Sequence, residues 1–543
     1  MIDLRTILIL GAGFMQTPAL KIAKNLGLRV CAVDGNPEAC GKDLADEFLP
    51  IDLKDTDSLI KYALGLKADS RLDAVFTAAT DFSASVAAIA EACHLPGHSL
   101  EAALNATDKG RMRSCFKAAG IASPLFAEIH ESEKESALAI YTGNGASFPA
   151  VVKPVDNMGA RGCKLVTCAE ELAFALDDAL RYSRTRRAVV EEFIQGPEFS
   201  LEGLVFNGKT CITAVADRHI FFPPYFIELG HTIPSQYEKK DTDELIAVFT
   251  EGARALGLRH GAIKGDIFLK EGKAVVGEIA ARLSGGYMSG WTVPYSSGLN
   301  ITKAAIQLAL GEEPEDFASA SPFLRTPTKH YCSHVSAERA WISIPGTVKS
   351  ISGLEDAFAV PFVQNVFPRA GVGDEVVFPQ NNVEKCGNVI SRAESRAAAV
   401  QASENACKLI VLRLTPHNTQ TDIFIKTIHN STETQQEYPP NFLQIQGVHI
   451  GSIAEQLKNC RFVCSKGFYI PDFLVEAKSV RDLQGRELIE ICEQVLAAEK
   501  GLKEILCSFS DKAAQGKKRE CLWVSCIRAG IQGILYMYDC GLL

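Results

Sequence analysis

Two acidic residues are spaced so that they could hold one metal ion. Asp266 lies in the apolar segment 265–269, and Glu278 lies twelve residues later in segment 275–279, with Glu271-Gly272 between the two segments. Such a turn would join them as an antiparallel hairpin, on which residues directly opposite each other share one face. Such a pair on its own is more often surface charge. Together with the other motifs of the chain, it predicts that Asp266 and Glu278 bind Mg²⁺, which needs few protein carboxylates when nucleotide phosphates complete its coordination shell.

A second segment has the composition of a polyphosphate-binding turn. The apolar run 148–152 ends in Lys153-Pro154, and a loop that contains Gly159 and Gly162 follows. A lysine at a strand end beside a glycine loop places an ammonium group next to free backbone N–H groups, as polyphosphate binding requires. Taken alone, the segment is equally compatible with an ordinary strand that ends in lysine.

A glycine-containing turn follows the first apolar segment of the chain. Gly11 and Gly13 come directly after residues 7–10, and Asp34 ends the next predicted strand, as in a dinucleotide-binding turn. However, Gln16 occupies the position where a third glycine would allow close helix–strand packing, which disfavours NAD binding. We interpret the motif as a tight strand-to-helix turn, with substrate binding as a secondary use.

The order of these segments along the chain resembles that of the ATP-grasp superfamily. The stretch 107–113 resembles the helix with the first nucleotide-binding lysine, and the stretch 190–202 resembles the hinge whose main chain reads adenine. The resemblance implies ATP and Mg²⁺ as cofactors, with Mn²⁺ as a substitute. It also implies an ATP-binding set: Lys109, Lys153, Gly159, Gly162, Glu191, Glu192, Phe193, Ile194 and Glu198.

Arg282 follows the second predicted metal ligand by four residues, directly before Leu283-Ser284-Gly285-Gly286. The resemblance implies that its guanidinium stabilises a phosphoryl group during transfer, a task that suits a planar cation with several donors. Ala280 stands where the superfamily usually has asparagine, so one expected ligand of a second metal ion is missing. A salt bridge to a neighbouring acid is the alternative role of Arg282.

A further segment, 224–234, resembles the L-amino-acid ligase branch of the superfamily. There Glu228 and His231 would face the substrate and position or deprotonate an amine. The mechanism implied is attack of a carboxylate on the γ-phosphate of ATP, which gives an acyl phosphate that an amine then captures. The expected substrates are an amino acid or another small carboxylate, together with an amine.

Two other classes of function remain open at this point. A carboxylase-like or carbamoyl-phosphate-synthase-like enzyme would activate bicarbonate or formate instead of an amino acid. A non-catalytic nucleotide-binding protein would keep the ATP pocket without turnover. The sequence does not identify the substrates, because the loops that shape substrate pockets have unknown neighbours in space.

The composition excludes several partners. The 543 residues carry a formal net charge of −9, which argues against a general nucleic-acid binder. No segment reaches the roughly 20 apolar residues of a membrane-spanning helix, and no signal-peptide pattern is present, so we expect a cytoplasmic protein without membrane contact. We expect the 17 cysteines to be reduced thiols. A homodimer is one assembly that the sequence leaves open.

The pattern of apolar segments predicts an α/β plus α+β protein of several domains. We predict a doubly wound parallel-sheet domain at 1–103 and an ATP-grasp region with antiparallel sheets at 104–312. A β-rich cap at 313–428, a polar linker at 429–446 and an accessory α/β domain at 447–543 would follow. Within these regions we expect one helix at 103–120, and a β run at 522–538 after a helical stretch 483–505. The resemblance to the superfamily extends to about residue 420.

Overall fold

The computed structural model describes residues 4–69, 72–314, 332–427, 438–446, 453–508 and 513–543. The chain divides into two compact units. The first unit consists of Met1–Ile220, Gly230–Glu338 and Arg392–Arg396. The second unit consists of Phe221–Leu229, Arg339–Ser391 and Ala397–Leu543.

The first unit begins with a parallel sheet. Its strands are β1 (Thr6–Leu10), β2 (Arg29–Val33), β3 (Glu47–Leu49) and β4 (Ala74–Thr77), in the order β3-β2-β1-β4. Every residue of β1 and β4 is buried, as expected of parallel strands that are covered by helices on both faces. The parallel sheet predicted for the N-terminal part of the chain is confirmed.

The turn after β1 is a tight strand-to-helix turn, as the sequence indicated. Gly11 has a φ of +98° and donates its N–H to the carbonyl of Val33. The side chain of Gln16 folds back over this turn and donates from Nε2 to the carbonyl of Ala78 at 2.6 Å. Gln16 therefore fills the space that the third glycine of a dinucleotide-binding turn would leave open, and it ties the turn to the end of β4.

Two antiparallel sheets complete the strands of the first unit. The smaller one has the order β5-β8-β6-β7, and the strands of the larger one that belong to this unit have the order β13-β12-β9-β10-β11-β14. The strands are β5 (Phe126–His130), β6 (Ala150–Pro154), β7 (Lys164–Val166), β8 (Arg187–Glu192), β9 (Glu198–Phe206), β10 (Lys209–Phe221), β11 (Ile227–Ile233), β12 (Gly261–Lys270), β13 (Lys273–Ala280) and β14 (Val335–Trp341).

Helices cover these sheets and build the buried core of the first unit. The α-helices are Thr17–Asn25, Thr56–Ala68, Ser83–Ala92, Leu100–Thr107, Lys109–Ala119, Ala137–Gly143, Ala169–Tyr182, Lys239–Ala255, Val293–Ser297 and Ile301–Ala309. A π-helix, Met288–Thr292, precedes the last two.

The prediction of one helix at 103–120 is wrong in one respect. The chain forms two helices, Leu100–Thr107 and Lys109–Ala119, that meet at Asp108. Asp108 has an extended backbone, and its side chain accepts the N–H of Arg111, so it caps the second helix. Gly120 ends that helix in the left-handed conformation, as predicted. The break gives Lys109 the first position of a helix.

The second unit contains shorter sheets and eight α-helices among the described residues. Its strands are β15 (Gly346–Ser352), β16 (Val363–Pro368), β17 (Glu375–Val376), β18 (Gly387–Ala393), β19 (Val411–Leu414), β20 (Leu443–Gln446), β21 (Phe462–Ser465), β22 (Phe468–Pro471) and β23 (Ser479–Asp482). Its helices are Leu354–Ala359, Arg396–Leu409, Thr419–Lys426, Ile453–Asn459, Asp472–Glu476, Leu488–Ala498, Lys503–Cys507 and Ala513–Asp539.

The prediction of a β run at 522–538 is wrong, because this segment belongs to the helical stretch Ala513–Asp539, which is kinked at Gly530 with its left-handed φ of +58°. Its buried residues recur at the spacing of a helix, as in Leu522, Cys526 and Ile527. Near its end the helix contributes Ala529 and Tyr536 to a core that also contains Trp341 and Leu414. Residues 397–543 thus form one compact unit together with 339–391.

The boundary predicted at 429–446 stays a prediction, since residues 428–437 lie outside the described residues. The end of that range forms β20, which pairs with β23. All 17 cysteines are free thiols, as predicted. None of the helices in the described part of the chain combines the length and apolar character that crossing a membrane requires.

Candidate active site

The two predicted metal ligands lie opposite each other on a hairpin. Strands β12 and β13 pair antiparallel, with Asp266 directly across from Glu278 and a β-bulge after Asp266. Glu271 and Gly272 form the turn between the strands with φ values of +52° and +73°, as a two-residue hairpin turn demands. The predicted hairpin is confirmed, and it brings both carboxylates to one place in the first unit.

Cationic side chains surround Asp266. Lys264 Nζ lies 2.5 Å from Asp266 Oδ2, and an Arg218 guanidinium nitrogen lies 3.2 Å from the same oxygen. The Ser200 hydroxyl donates to Oδ1 at 2.8 Å. Burial alone would raise the pKa of the Asp266 carboxyl, but Arg218 and Lys264 hold it well below its usual range. Asp266 is therefore ionised at neutral pH.

Glu278 faces the first predicted nucleotide lysine. Lys109 Nζ lies 3.6 Å from Glu278 Oε1 and donates to the carbonyl of Asn157 at 2.9 Å. Burial would raise the pKa of Glu278, but Lys109 and Lys264 lower it below the usual value. Burial would likewise lower the pKa of Lys109, yet Glu278 and Asp81 raise it. Both groups are held in their charged forms.

Glu191 connects the second predicted nucleotide lysine to a buried arginine. Lys153 Nζ lies 2.6 Å from Glu191 Oε2, and Arg113 Nε lies 2.9 Å from Glu191 Oε1. Arg113 also donates from Nη2 to the carbonyl of Gly277 at 2.6 Å, on the strand that carries Glu278. Burial would raise the pKa of Glu191, but Arg113 and Lys153 together lower it. The structure places Glu191 as an anchor for Lys153.

The other predicted adenine-hinge residues lie at and after the end of β8. The Glu192 side chain lies 3.1 Å from Lys270 Nζ, and the backbone N–H of Phe193 donates to the carbonyl of Pro149. Ile194 is buried. Glu198, at the start of β9, forms an ion pair with Arg218, the same arginine that contacts Asp266.

The predicted phosphate loop is a turn with two left-handed glycines. Gly159 and Gly162 have φ values of +69° and +68°, a conformation that residues with a side chain rarely adopt. A Cβ atom at Gly162 would lie 2.9 Å from the Tyr182 ring. The carbonyl of Asn157 within this loop accepts from Lys109, so the loop is tied to the predicted nucleotide lysines.

Arg282 is buried just after the hairpin that carries the two predicted metal ligands. Its Nη1 donates to the carbonyl of Leu283 at 3.1 Å, and its Nε–H has no hydrogen-bond partner among the residues that the structure describes. An unpaired buried donor is costly unless a ligand or water satisfies it. Two further atoms near this loop are also unpaired within the described residues, namely Ser284 Oγ and Glu202 Oε2.

Glu202 holds the loop that follows Arg282. Its Oε1 accepts the backbone N–H of Ser284 at 2.7 Å and the hydroxyl of Ser289, so one carboxylate spans both ends of the loop. Glu202 lies on β9 opposite Lys264 of β12 and is fully buried. Burial raises the pKa of Glu202 above its usual value. The arrangement fixes the loop between the predicted metal ligands and the π-helix.

His231 is fully buried in the first unit. Its Nε2 lies 2.6 Å from the Thr292 hydroxyl, and its Nδ1 lies 3.3 Å from Glu338. Thr292 is the last residue of the π-helix, so His231 contacts the segment that follows Arg282. Glu228, in the second unit, has its backbone N–H bonded to Asn382 and its carbonyl to Lys385.

The donor set of the hairpin fits a divalent cation. Two ionised carboxylates face each other, and several cations balance their charge: Lys109, Arg218 and Lys264. Mg²⁺ commonly takes one or two carboxylates together with nucleotide phosphates. The lysines and Arg282 add the positive charge that a transferring phosphoryl group requires. These carboxylates and cations have the chemistry required to bind a nucleoside triphosphate with its metal ion and to stabilise charge on the γ-phosphate.

Several residues of the site were missed from the sequence. They are Arg113, Ser200, Glu202, Arg218 and Lys264, which anchor or neutralise the predicted residues. Spacing could have indicated two of them. Arg113 lies four residues after Lys109 on a helix, and Lys264 lies two residues before Asp266 on a strand, so each shares a face with a predicted residue. The other three come from strands distant in sequence.

Comparison with family models identifies three segments of the chain. Residues 20–97 match the ATP-grasp N-terminal domain, and residues 146–290 match the ATP-grasp domain. Residues 340–415 match the L-amino acid ligase C-terminal domain 2. The three matches occur in the order that the sequence predicted, and the central one contains both carboxylates of the hairpin.

Curated relatives are similar over the same region. Protein y4rH of Sinorhizobium fredii is 26% identical over 374 residues, which is 68% of this chain and 74% of that protein. Carnosine synthase 1 of Gallus gallus is 26% identical over 335 residues, 58% of this chain and 36% of that protein. The carbamoyl phosphate synthase large chain of Bifidobacterium animalis is 27% identical over 379 residues, 63% of this chain and 32% of that protein. The chain thus spans about a third of the length of the last two relatives.

Solved structures share the fold. An L-amino acid ligase from Bacillus licheniformis has a TM-score of 0.64 at 22% identity, covering 76% of this chain and 99% of its own. A phosphoribosylglycinamide synthetase from Anaerococcus prevotii has a TM-score of 0.58 at 22% identity, covering 76% of this chain and 100% of its own. The chain thus contains segments that match the ATP-grasp N-terminal domain, the ATP-grasp domain and the L-amino acid ligase C-terminal domain 2, and these solved structures share its fold.

Proposed function

We propose that the chain is an ATP-dependent carboxylate–amine ligase that acts through an acyl phosphate. Its carboxylate substrate is an amino acid or another small carboxylate, and its products are the amide, ADP and phosphate. The superfamily binds ATP together with a divalent metal ion, and the C-terminal domain of the L-amino acid ligase type favours an amino-acid substrate.

The observation that carries this proposal is the charge arrangement at the hairpin. Asp266 and Glu278 are paired and ionised, Lys109 lies next to Glu278, and the buried Arg282 follows Glu278 by four residues in sequence. The Nε–H of Arg282 has no hydrogen-bond partner among the described residues, and such a buried donor suits an anionic ligand such as a phosphate or carboxylate group.

In the proposed first step, a carboxylate oxygen of the substrate attacks the γ-phosphorus of ATP. The bond between this phosphorus and the β–γ bridging oxygen breaks, and ADP leaves with that electron pair. Lys109, Lys153 and Arg282 stabilise the negative charge that moves between the oxygens, and no protein nucleophile is needed. The lysines bind the phosphates, and the Glu191 anchor holds Lys153 in place.

Asp266 and Glu278 would hold the divalent cation. When bound, this ion neutralises phosphate charge and orients the γ-phosphate for in-line transfer. Arg218 and Lys264 lower the pKa of Asp266, and Lys109 and Lys264 lower the pKa of Glu278, so that both carboxylates are ionised and can act as ligands at neutral pH.

In the proposed second step, an amine attacks the acyl carbon, and phosphate leaves as the acyl–oxygen bond breaks. The amine must lose a proton because its free pKa is too high for attack at neutral pH. Glu228 stays a candidate for that base. His231 is buried between Thr292 and Glu338, a position that suits it to orient the segment after Arg282.

An ADP-release screen tests the proposal. The full chain is supplied with ATP and Mg²⁺ and with each amino acid, singly and in pairs, and the products are analysed by mass spectrometry. We expect ADP release that depends on amino acids and yields an amide. Glu278→Gln serves as the matched inactive control, since it keeps the size of the side chain and removes its charge.

The other outcomes identify the two rival functions. ADP release with bicarbonate or formate alone, and no requirement for an amino acid, would assign a carboxylase-like activity. ATP binding without ADP release in any condition would assign a nucleotide-binding protein. Either result overturns the proposed ligase.

A further inference from the structure

Three aromatic side chains meet next to the Arg282 loop, and we call them the aromatic cluster: Phe14, Tyr287 and Trp291. The rings of Phe14 and Trp291 stack with a centroid distance of 5.8 Å and an interplanar angle of 9°. Tyr287 meets both rings edge-on, with its centroid 6.4 Å from Phe14 and 5.4 Å from Trp291. All three residues belong to the first unit.

The aromatic cluster exposes the ring of Phe14 to solvent and buries the side chain of Tyr287 beneath the surface. Phe14 is 44% exposed and Trp291 is half-buried, whereas Tyr287 is 4% exposed. Phe14 is the first residue after the Gly11–Gly13 turn, at the carboxyl end of β1. Ligands of open parallel sheets bind at the carboxyl ends of the strands.

The backbone around the cluster has two features that recur at functional sites. Tyr287 has a left-handed φ of +68°, which is strained for a bulky residue. Met288–Thr292 forms a π-helix, a rare element that is common at functional sites. The carbonyl of Tyr287 accepts both the N–H and the hydroxyl of Thr292, so the turn that carries the ring is held in place.

The cluster is continuous with the candidate active site. Leu283, the neighbour of Arg282, forms a parallel bridge with Ala78 at the end of β4, and Ala78 accepts from Gln16 in the turn that carries Phe14. Tyr287 follows Arg282 by five residues, a span of at most about 18 Å. A bond from Met288 N to the carbonyl of Gly285 folds this span back on itself.

The loop between Arg282 and Tyr287 leaves space above its backbone. Gly285 and Gly286 have no side chains, and a Cβ atom at Gly285 would meet nothing closer than 3.7 Å. Glu202 fixes both ends of this loop. A small molecule held by Arg282 could therefore extend over the glycines to the rings.

We propose that the aromatic cluster binds the side chain of the amino-acid substrate and selects an aromatic or large aliphatic side chain. This inference rests on the proposed ligase function and specifies its substrate class. The carboxylate of the substrate lies toward Arg282, and its side chain packs on the exposed face of Phe14. Apolar contact and offset stacking favour such side chains over small polar ones.

The test compares two probes, L-phenylalanine and L-serine, on four forms of the full chain. The forms are the wild type, Phe14→Ala, Trp291→Phe and the control Phe174→Ala, which removes a 77% exposed ring elsewhere in the first unit. Binding of each probe is measured by calorimetry with ADP and Mg²⁺ present, and ADP release is measured in parallel.

We expect Phe14→Ala to weaken L-phenylalanine binding and kcat/KM about tenfold, which is the loss of one aromatic contact. Its effect on L-serine should be below twofold. Trp291→Phe keeps a ring for stacking and should retain most of the preference, and Phe174→Ala should behave like the wild type.

The outcomes separate this inference from the proposed function. Equal losses for both probes in Phe14→Ala, or no preference for L-phenylalanine in the wild type, overturn the inference while ADP release upholds the ligase. Selective L-phenylalanine binding that Phe14→Ala removes, without ADP release from any amino acid, upholds the aromatic subsite and overturns the ligase.

Discussion

Replacing Glu191 by glutamine should destabilise the first unit and weaken ATP binding, whereas the same change at Glu192 should do neither. The Glu191 side chain is 3% exposed and forms ion pairs with Arg113 and Lys153. The side chains of these two residues are 0% and 16% exposed. Glutamine can accept from one of these cations, but its amide group would then face the other. The variant therefore leaves at least one buried cation without an anion.

The magnitude follows from the burial of the two glutamates. Removing one partner of a buried ion pair costs about 3–5 kcal/mol, because the remaining charge stays desolvated. The Glu192 side chain is 33% exposed and pairs with Lys270, which is 44% exposed, so its loss should cost about 0–1 kcal/mol. At about 2–4 °C per kcal/mol, Glu191→Gln should lower the melting temperature by roughly 6–20 °C.

The pH dependence gives an independent check of the same ion pairs. The pKa of Glu191 is lowered in the folded protein, since Arg113 and Lys153 outweigh the effect of burial. Its stabilising contribution is therefore complete above the unfolded pKa of about 4.3 and is lost as the pH falls through the lower folded pKa. The stability difference between wild type and Glu191→Gln should be full at pH 7 and should shrink below about pH 4.

The assay combines melting curves at several pH values with calorimetric titration of ATP. Glu191→Gln should weaken ATP binding because Lys153 loses its anchor, and Glu192→Gln should bind ATP as the wild type does. Equal melting temperatures for the two variants at pH 7 would refute the reasoning, as would a stability difference that does not change between pH 7 and pH 3.

Three further predictions concern other parts of the chain. Glu278→Gln and Asp266→Asn should each lower ADP release about 10²–10³-fold, and wild-type rates would remove the metal assignment. His231→Ala should leave the Kd of ATP within twofold while kcat falls; a variant with a lower melting temperature and full turnover would give His231 a purely structural role. Tyr536→Ala should cost roughly 3–5 kcal/mol in urea unfolding, and an unchanged midpoint would contradict the core that the last helix shares with Trp341.

Elements with strong local signals were predictable from the sequence. The continuous apolar runs at β1, β2 and β4 have the pattern of buried parallel strands, and Gly272 allows the tight turn of the β12–β13 hairpin. The register set by this turn alone would place Asp266 opposite Gly277. The β-bulge after Asp266 shifts the pairing by one residue and places Asp266 opposite Glu278. The site was predictable to the extent that one hairpin defines it.

Elements that depend on distant partners were not predictable in the same way. The segment 522–538 is apolar, and its composition alone does not distinguish a strand from a buried helix. Packing of Ala529 and Tyr536 against Trp341 and Leu414 provides the burial that stabilises the helix, and these residues lie more than a hundred positions away in sequence. Tertiary contacts therefore determine the conformation of this segment.

The role of Glu191 shows the same limit within the site. The motif that contains it resembles an adenine hinge, and the sequence accordingly suggests a nucleotide contact. In the structure its carboxylate forms ion pairs with Arg113 from a helix and Lys153 from a neighbouring strand. These residues precede Glu191 by 78 and 38 positions, so no local spacing could indicate the contact.

The proposed function also explains why the site holds so many paired charges before any nucleotide binds. When no ATP is bound, each of the two predicted phosphate-binding lysines forms an ion pair with a carboxylate: Lys109 with Glu278, and Lys153 with Glu191. A phosphate that enters must compete with these carboxylates, but the ion pairs already orient both lysine side chains, so little reorganisation remains to be made during phosphoryl transfer. The two carboxylates then diverge in role. Glu191 is buried and keeps its lysine, whereas the more exposed Glu278 can exchange its contact with Lys109 for a metal ion.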